Sequence, residues 1–244
     1  MDITHSGGRM KLIMLGAILI TAALIGGCAS NSEFRIDNIP MYGQPEIKRP
    51  AFLKQADATF IQEASDKLGS REAASTAWYA QGEKYITEGN FDYAMRRYNQ
   101  SWLLNPDNYQ PYWGFARVMV AAKQYDESFR YFERALALID DDYQKPALLT
   151  DFAIAYHNKG NSLPQEQATA KQSYYSKANQ TFESATQADP GYIKAWVKWA
   201  YALYYQQDYA AAWDKVAKAR ALEPTAVPAP FIAKLQAQLP ASAQ

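Results

Sequence analysis

The stretch WYAQGEKYITEGNFDYAMRRYNQSWLLNP, residues 78–106, decides the fold. It reads as two helices separated by Gly89-Asn90, two residues that tolerate positive φ and so close a tight turn. The first helix is expected over Ser75 to Glu88 and the second over Phe91 to Leu104, with Pro106 as the stop. Counting from Trp78, Gly82 follows at +4, Tyr85 at +7, Ala94 at +16, Tyr98 at +20 and Pro106 at +28. The small residues Gly82 and Ala94 let the two helices approach closely. The large residues Trp78 and Tyr98 are left to fill the gaps between this hairpin and its neighbours.

The same spacing returns along the chain. Trp196 is followed at equal intervals by Ala200, Leu203, Ala212, Val216 and Pro224. A second copy starts 34 residues after the first, with Tyr112, Ala116, Met119, Ser128, Phe132 and Asp140 in the matching places. The third is irregular. It carries Leu149, Phe152, Ala153 and Tyr156, then Tyr175, Ala178, Phe182, Ala185 and Pro190. Three extra residues around Asp140-Asp141-Asp142 precede it, and 13 more, Asn161 to Ser173, interrupt it. This pattern resembles the tetratricopeptide (TPR) repeat, a helical hairpin of about 34 residues. The resemblance implies an all-α, TPR-type α-solenoid of four hairpins, at about 75–108, 109–142, 146–192 (with the insertion 161–173) and 193–226. Such solenoids bind peptides or proteins and usually do no chemistry.

A solenoid needs caps, because its end units would otherwise expose apolar surface. Phe60, Ile61, Ala64 and Leu68 share one helical face, so residues 51–70 are expected to form the N-terminal capping helix, closed by Gly69. Phe231, Ile232, Leu235 and Leu239 form the corresponding stripe in a C-terminal capping helix over 228–239. The repeat domain is thus expected over 71–240. Residues 28–50 carry Pro40, Gly43, Pro45 and Pro50 without helical period, and are expected to form a flexible tether. Fully extended it would reach roughly 70 Å, and as a coil about 25 Å.

The N-terminus reads as an export signal, residues 1–27. Arg9 and Lys11 precede the apolar run Leu12 to Ile25, whose 14 residues fall short of a typical transmembrane helix of about 20. Met10 is an alternative start, which would leave residues 1–9 outside the protein. Ile25-Gly26-Gly27-Cys28 resembles a bacterial lipobox. That resemblance implies cleavage before Cys28, a diacylglycerol on its thiol and a fatty acyl chain on its new amine. Two or more chains anchor stably at about 0.8 kcal/mol per buried methylene. Ala29 and Ser30 lack the aspartate that would favour the inner membrane. By the same resemblance, and for a Gram-negative host, the expected location is the outer membrane, facing the periplasm. Cys28 is the only cysteine, so no internal disulfide is possible.

Charge narrows the partners. The chain has 25 basic and 25 acidic residues. Removing residues 1–27 takes away Asp2, Arg9 and Lys11, leaving 23 against 24, or −1. This is not the footprint of a nucleic-acid binder. The expected partner is a protein or peptide of the cell envelope, with the membrane engaged through the lipid; oligomeric state stays open.

In TPR proteins the first helix of each hairpin lines the concave face. Carried over position by position, the resemblance puts Tyr79 and Glu83 there from the first repeat, and Gln110, Trp113 and Arg117 from the second. The third contributes Thr150, Asp151, His157 and Asn158, and the fourth Lys194, Lys198, Tyr201, Tyr204 and Tyr205. Trp113 and the tyrosines are the residue types that dominate binding hot spots. Arg117, Lys194 and Lys198 could take a carboxylate. No repeat offers the lysine and asparagine pair of the chaperone-binding dicarboxylate clamp. A glycan such as peptidoglycan is the alternative occupant, since aromatic grooves with polar tips also hold sugars. No enzyme is expected. His157 is the one histidine after the signal, and Asp151, Glu83 and His157 are the best constellation available. No cofactor or metal is expected: Asp140-Asp141-Asp142 lacks the glycine and glutamate of a calcium loop, and no glycine-rich phosphate loop appears.

Overall fold

A computed structural model describes residues 35–239. The expected signal segment and Cys28 lie outside the described residues. Among the described residues ten α-helices run in order: α1 (Ala51–Leu68), α2 (Arg71–Thr87), α3 (Phe91–Leu104), α4 (Tyr109–Ala121), α5 (Tyr125–Leu138), α6 (Lys145–Ser162), α7 (Ala168–Ala188), α8 (Ile193–Tyr205), α9 (Tyr209–Leu222) and α10 (Ala229–Gln238). No strand occurs among the described residues. No described helix is long and apolar enough to cross a membrane.

Four pairs, α2/α3, α4/α5, α6/α7 and α8/α9, are the expected hairpins. Their boundaries follow from capping. Ser70, Asn90, Asn108 and Asp208 each accept a backbone N–H of the first turn through the side chain. The turns within three of the hairpins use one left-handed residue. It is Gly89 in the first (φ 73°), Lys123 in the second (φ 60°) and Gln207 in the fourth (φ 65°).

Interlocking of small and large residues holds the pairs together. Tyr98 of α3 is fully buried. A Cβ added to Gly114 of α4 would lie 2.6 Å from its ring, and Gly82 of α2 faces the same ring. One tyrosine thus fills a notch made by two glycines on successive first helices. Tyr175 of α7 does the same against Gly160 of α6 (2.7 Å). Phe132 stacks on Phe152 across the second and third hairpins, centroids 4.8 Å apart. At the ends, Phe60 of α1 meets Trp78 edge-on, and Phe231 of α10 stacks on Tyr201 at 3.8 Å. Both caps therefore cover aromatic surface, as the sequence pattern predicts.

The irregular third hairpin is longer, not broken. α6 has 18 residues and α7 has 21, against 13 and 14 in α8 and α9. Most of 161–173 extends the two helices, and a 3-10 turn, Gln165–Gln167, lies between them. The Tyr175 hydroxyl donates to Asn161 Oδ1 (2.6 Å), pinning the extension.

The expected flexible tether is corrected over residues 35–50. Two short 3-10 turns, Ile36–Asn38 and Pro40–Gly43, lie on α3. The side chain of Asn99, fully buried, clasps them. Its amide donates to the carbonyls of Asp37 (2.9 Å) and Ile39 (2.8 Å), and its oxygen accepts the N–H of Tyr42 (3.2 Å). Arg96 reaches Asp37 (3.3 Å) and Asn38 (3.1 Å). Arg49 lies over the Tyr42 ring (3.9 Å) and pairs with Asp57 of α1 (2.8 Å). Met41 and Tyr42 adopt left-handed backbone (φ 51° and 55°). That conformation costs about 1–2 kcal/mol per residue for a non-glycine. The clasp and the burial of Tyr42 offset it. Prolines hid this because they mark irregular backbone without saying whether anything packs on it.

Candidate functional site: the face of the first helices

The first helices of the hairpins, α2, α4, α6 and α8, share one face, and charges cross it in alternating sign. Arg117 Nη1 of α4 donates to both carboxylate oxygens of Glu83 on α2 (2.7 and 2.6 Å). Arg117 Nε lies 3.7 Å from Asp151 Oδ2 on α6, and Lys194 Nζ on α8 lies 4.0 Å from Asp151 Oδ1. The Trp113 indole donates to Asp151 (3.1 Å), and the Tyr98 hydroxyl donates to Glu83 (2.6 Å). Burial pushes the Asp151 carboxyl above its usual range, against the pull of Arg117, Lys194 and the indole. Every helix of the face contributes one member of this chain of charges.

Several residues expected on the open groove lie beneath it instead. Trp113 is 7% exposed and Tyr79 9%. Tyr79 packs on Tyr98 (5.6 Å), and Trp113 supports Asp151 from below. Thr150 is fully buried and donates to the Pro146 carbonyl. The cause is what meets each side chain: the Tyr98 ring lies against Tyr79, and the Asp151 carboxylate accepts the Trp113 N–H. Gln110 is half-buried at the start of α4, beside Asn108. Tyr204 packs on Tyr209 and Phe231.

Two adjoining hollows remain open. One, about 250 Å³, is lined by Arg117, Val120, Asp151, Ile154 and Lys194, with Phe132 at its floor. The other, about 220 Å³, is lined by His157, Asn158, Asn161, Lys198, Tyr201 and Tyr205. Ile154 of α6 lines both, so they lie side by side. Lys198 and Tyr205 are exposed, Tyr205 by 60%, and Lys194 is 53% exposed. No carboxylate lines the second hollow. Sequence reasoning missed Ile154 and Asn161; the hydrophobic position one turn before Asn158 was the available signal for the first.

His157 is 7% exposed and held neutral, its pKa lowered to about 4 by burial. Its ring nitrogens face the side-chain amides of Asn161 (2.8 Å) and Gln206 (3.4 Å), and it stacks near Tyr175. The constellation Asp151, Glu83 and His157 is not assembled. The two carboxylates are tied to Arg117, whereas His157 sits among amides and rings. Among the described residues no three His, Cys, Asp or Glu side chains gather as metal ligands.

No family model matches the chain, and no curated protein does. Solved structures do. TTC0263, a thermophilic TPR protein in Thermus thermophilus, superposes with a TM-score of 0.56 at 15% identity, over 68% of this chain and 92% of that one. MamA gives 0.48 at 16% identity, over 73% of this chain and 97% of its own. YrrB, described as a TPR protein with an unusual peptide-binding site, gives 0.33 at 16% identity, over 68% and 93%. The likeness to TTC0263 carries the fold: ten helices, paired and capped as described, form an all-α, TPR-type solenoid.

Proposed function

We propose that this chain is a scaffold lipoprotein of the bacterial cell envelope, anchored through Cys28, that holds a protein or peptide partner on the face of α4, α6 and α8. The observation that carries the binding reading is the pair of neighbouring hollows on either side of Ile154. Each has room for one or two side chains, which suits an extended segment better than a folded surface. Lys194, Lys198 and Tyr205 present open polar tips around them. Anchoring is supported by the Gly26-Gly27-Cys28 sequence behind an apolar run.

The test is in-cell photo-crosslinking with a probe at Lys198, against a control at Arg130 on α5. One partner captured from Lys198 alone supports the reading. Equal capture from both sites sinks it. Co-sedimentation with purified sacculi that depends on Tyr205 would favour a glycan occupant instead. For the anchor, Cys28→Ser should move the protein from the membrane fraction to the soluble fraction.

A further inference from the structure

We infer that the anchored domain lies against the bilayer with its second-helix face, the side on which α3 carries residues 35–50, and turns the hollows of α4, α6 and α8 away from the lipid. This rests on the Cys28 anchor proposed above.

Chain length limits how far the domain can stand from the lipid. A free tether of 22 residues would let it tumble roughly 70 Å from the surface. With residues 35–50 clasped to α3, only the seven-residue step from Cys28 to Arg35 is left, at most about 25 Å. That is comparable to the thickness of two helix layers packed about 10 Å apart. A domain held so close has a preferred side.

The attachment point selects the side. Tyr98 of α3 points at Gly82 and Gly114, that is, toward α2 and α4. At 3.6 residues per turn, Asn99 lies about 100° and Arg96 about 160° around α3 from Tyr98. The residues that grip Asp37, Asn38 and Ile39 thus stand on the side of α3 turned from the first helices. The segment therefore lies along α3, opposite the hollows.

The local chemistry suits a headgroup layer. Lys48 and Lys54 are exposed around one hollow at the start of α1, and Phe52 beside them is 72% exposed. Aromatic and cationic side chains concentrate at the membrane interface. Of the carboxylates there, Asp37 and Asp57 are taken up by Arg35, Arg96 and Arg49, and Glu46 and Asp92 are exposed.

The experiment uses the full, acylated chain in phosphatidylethanolamine–phosphatidylglycerol vesicles carrying a headgroup nitroxide lipid. Acylated Cys28 leaves an introduced cysteine as the one free thiol. A bimane label is placed in Asp92→Cys, Arg130→Cys, Lys198→Cys and Tyr205→Cys. Quenching should be several-fold stronger at the first two. A flexible Gly-Ser insertion between Phe34 and Arg35, which leaves the fold untouched, should erase the difference, and Asn99→Ala should move it the same way. Equal quenching at all four sites, or stronger quenching at Lys198 and Tyr205, in a chain shown by mass spectrometry to be acylated, overturns the inference alone. An unacylated Cys28 overturns the anchor reading and the inference with it.

Discussion

The two ends of the first-helix face use similar residues to opposite ends. Around α2 and α4, Tyr79 and Trp113 are buried against Tyr98 and Asp151, and Glu83 and Arg117 pair with each other. Around the ends of α6 and α8, Lys198 and Tyr205 stand open over a hollow that no carboxylate lines. The difference traces to what each side chain meets. Glycines at 82 and 114 draw the first two hairpins together around Tyr98. The third hairpin is longer, and His157, Asn158 and Asn161 on its extended α6 line a space that α8 does not fill. A residue type favoured at binding sites is a binding residue only where its neighbours leave it room.

Trp113→Ala puts the contrast between the two ends under the greatest strain. If the indole is a packing element, thermal or denaturant unfolding should show a loss of about 3–5 kcal/mol. A variant of native stability with weakened partner capture would return Trp113 to the open surface.

His157 tests the other end through pH. Its folded pKa of about 4 lies below the usual 6.5. As pH falls below 6.5 the unfolded chain takes up the proton first, so stability is full above that value and declines toward pH 4. The loss amounts to about 3 kcal/mol. Denaturation midpoints across this window should fall for the native chain and flatten at this site for His157→Gln. A pH profile unaltered by that substitution would contradict the burial.

Arg117→Met removes the cation between Glu83 and Asp151. Both carboxylates are partly exposed, so the expected loss is about 1–3 kcal/mol, discounted from the cost of a fully buried pair. Recovery in the double variant Arg117→Met/Glu83→Gln, measured as a coupling energy, would confirm that the charges work as a unit. Additive losses would deny it.

Tyr205→Ala should have the smallest effect on folding, within about 0.5 kcal/mol, as for an exposed position. Its effect is expected in partner capture from Lys198. A stability loss like that of Trp113→Ala would mean that the two ends do not differ as described.

The helices, their pairing and the caps were legible in the sequence alone. They follow from the phase of apolar side chains along one helix and from turn residues such as Gly89-Asn90, all local properties. The first-helix face came from the resemblance to the TPR repeat, carried over position by position. Which of those residues stay open was settled only by the packed fold. Trp113 is buried in the core, and its N–H is met by Asp151, 38 residues away. Residues 35–50 are ordered because Asn99 closes on them across about 60 positions of chain. Gly114 matters because Tyr98 of the preceding hairpin occupies its space. Burial is set by partners distant in sequence, and one chain's periodicity records only that a face is apolar, not what comes to cover it.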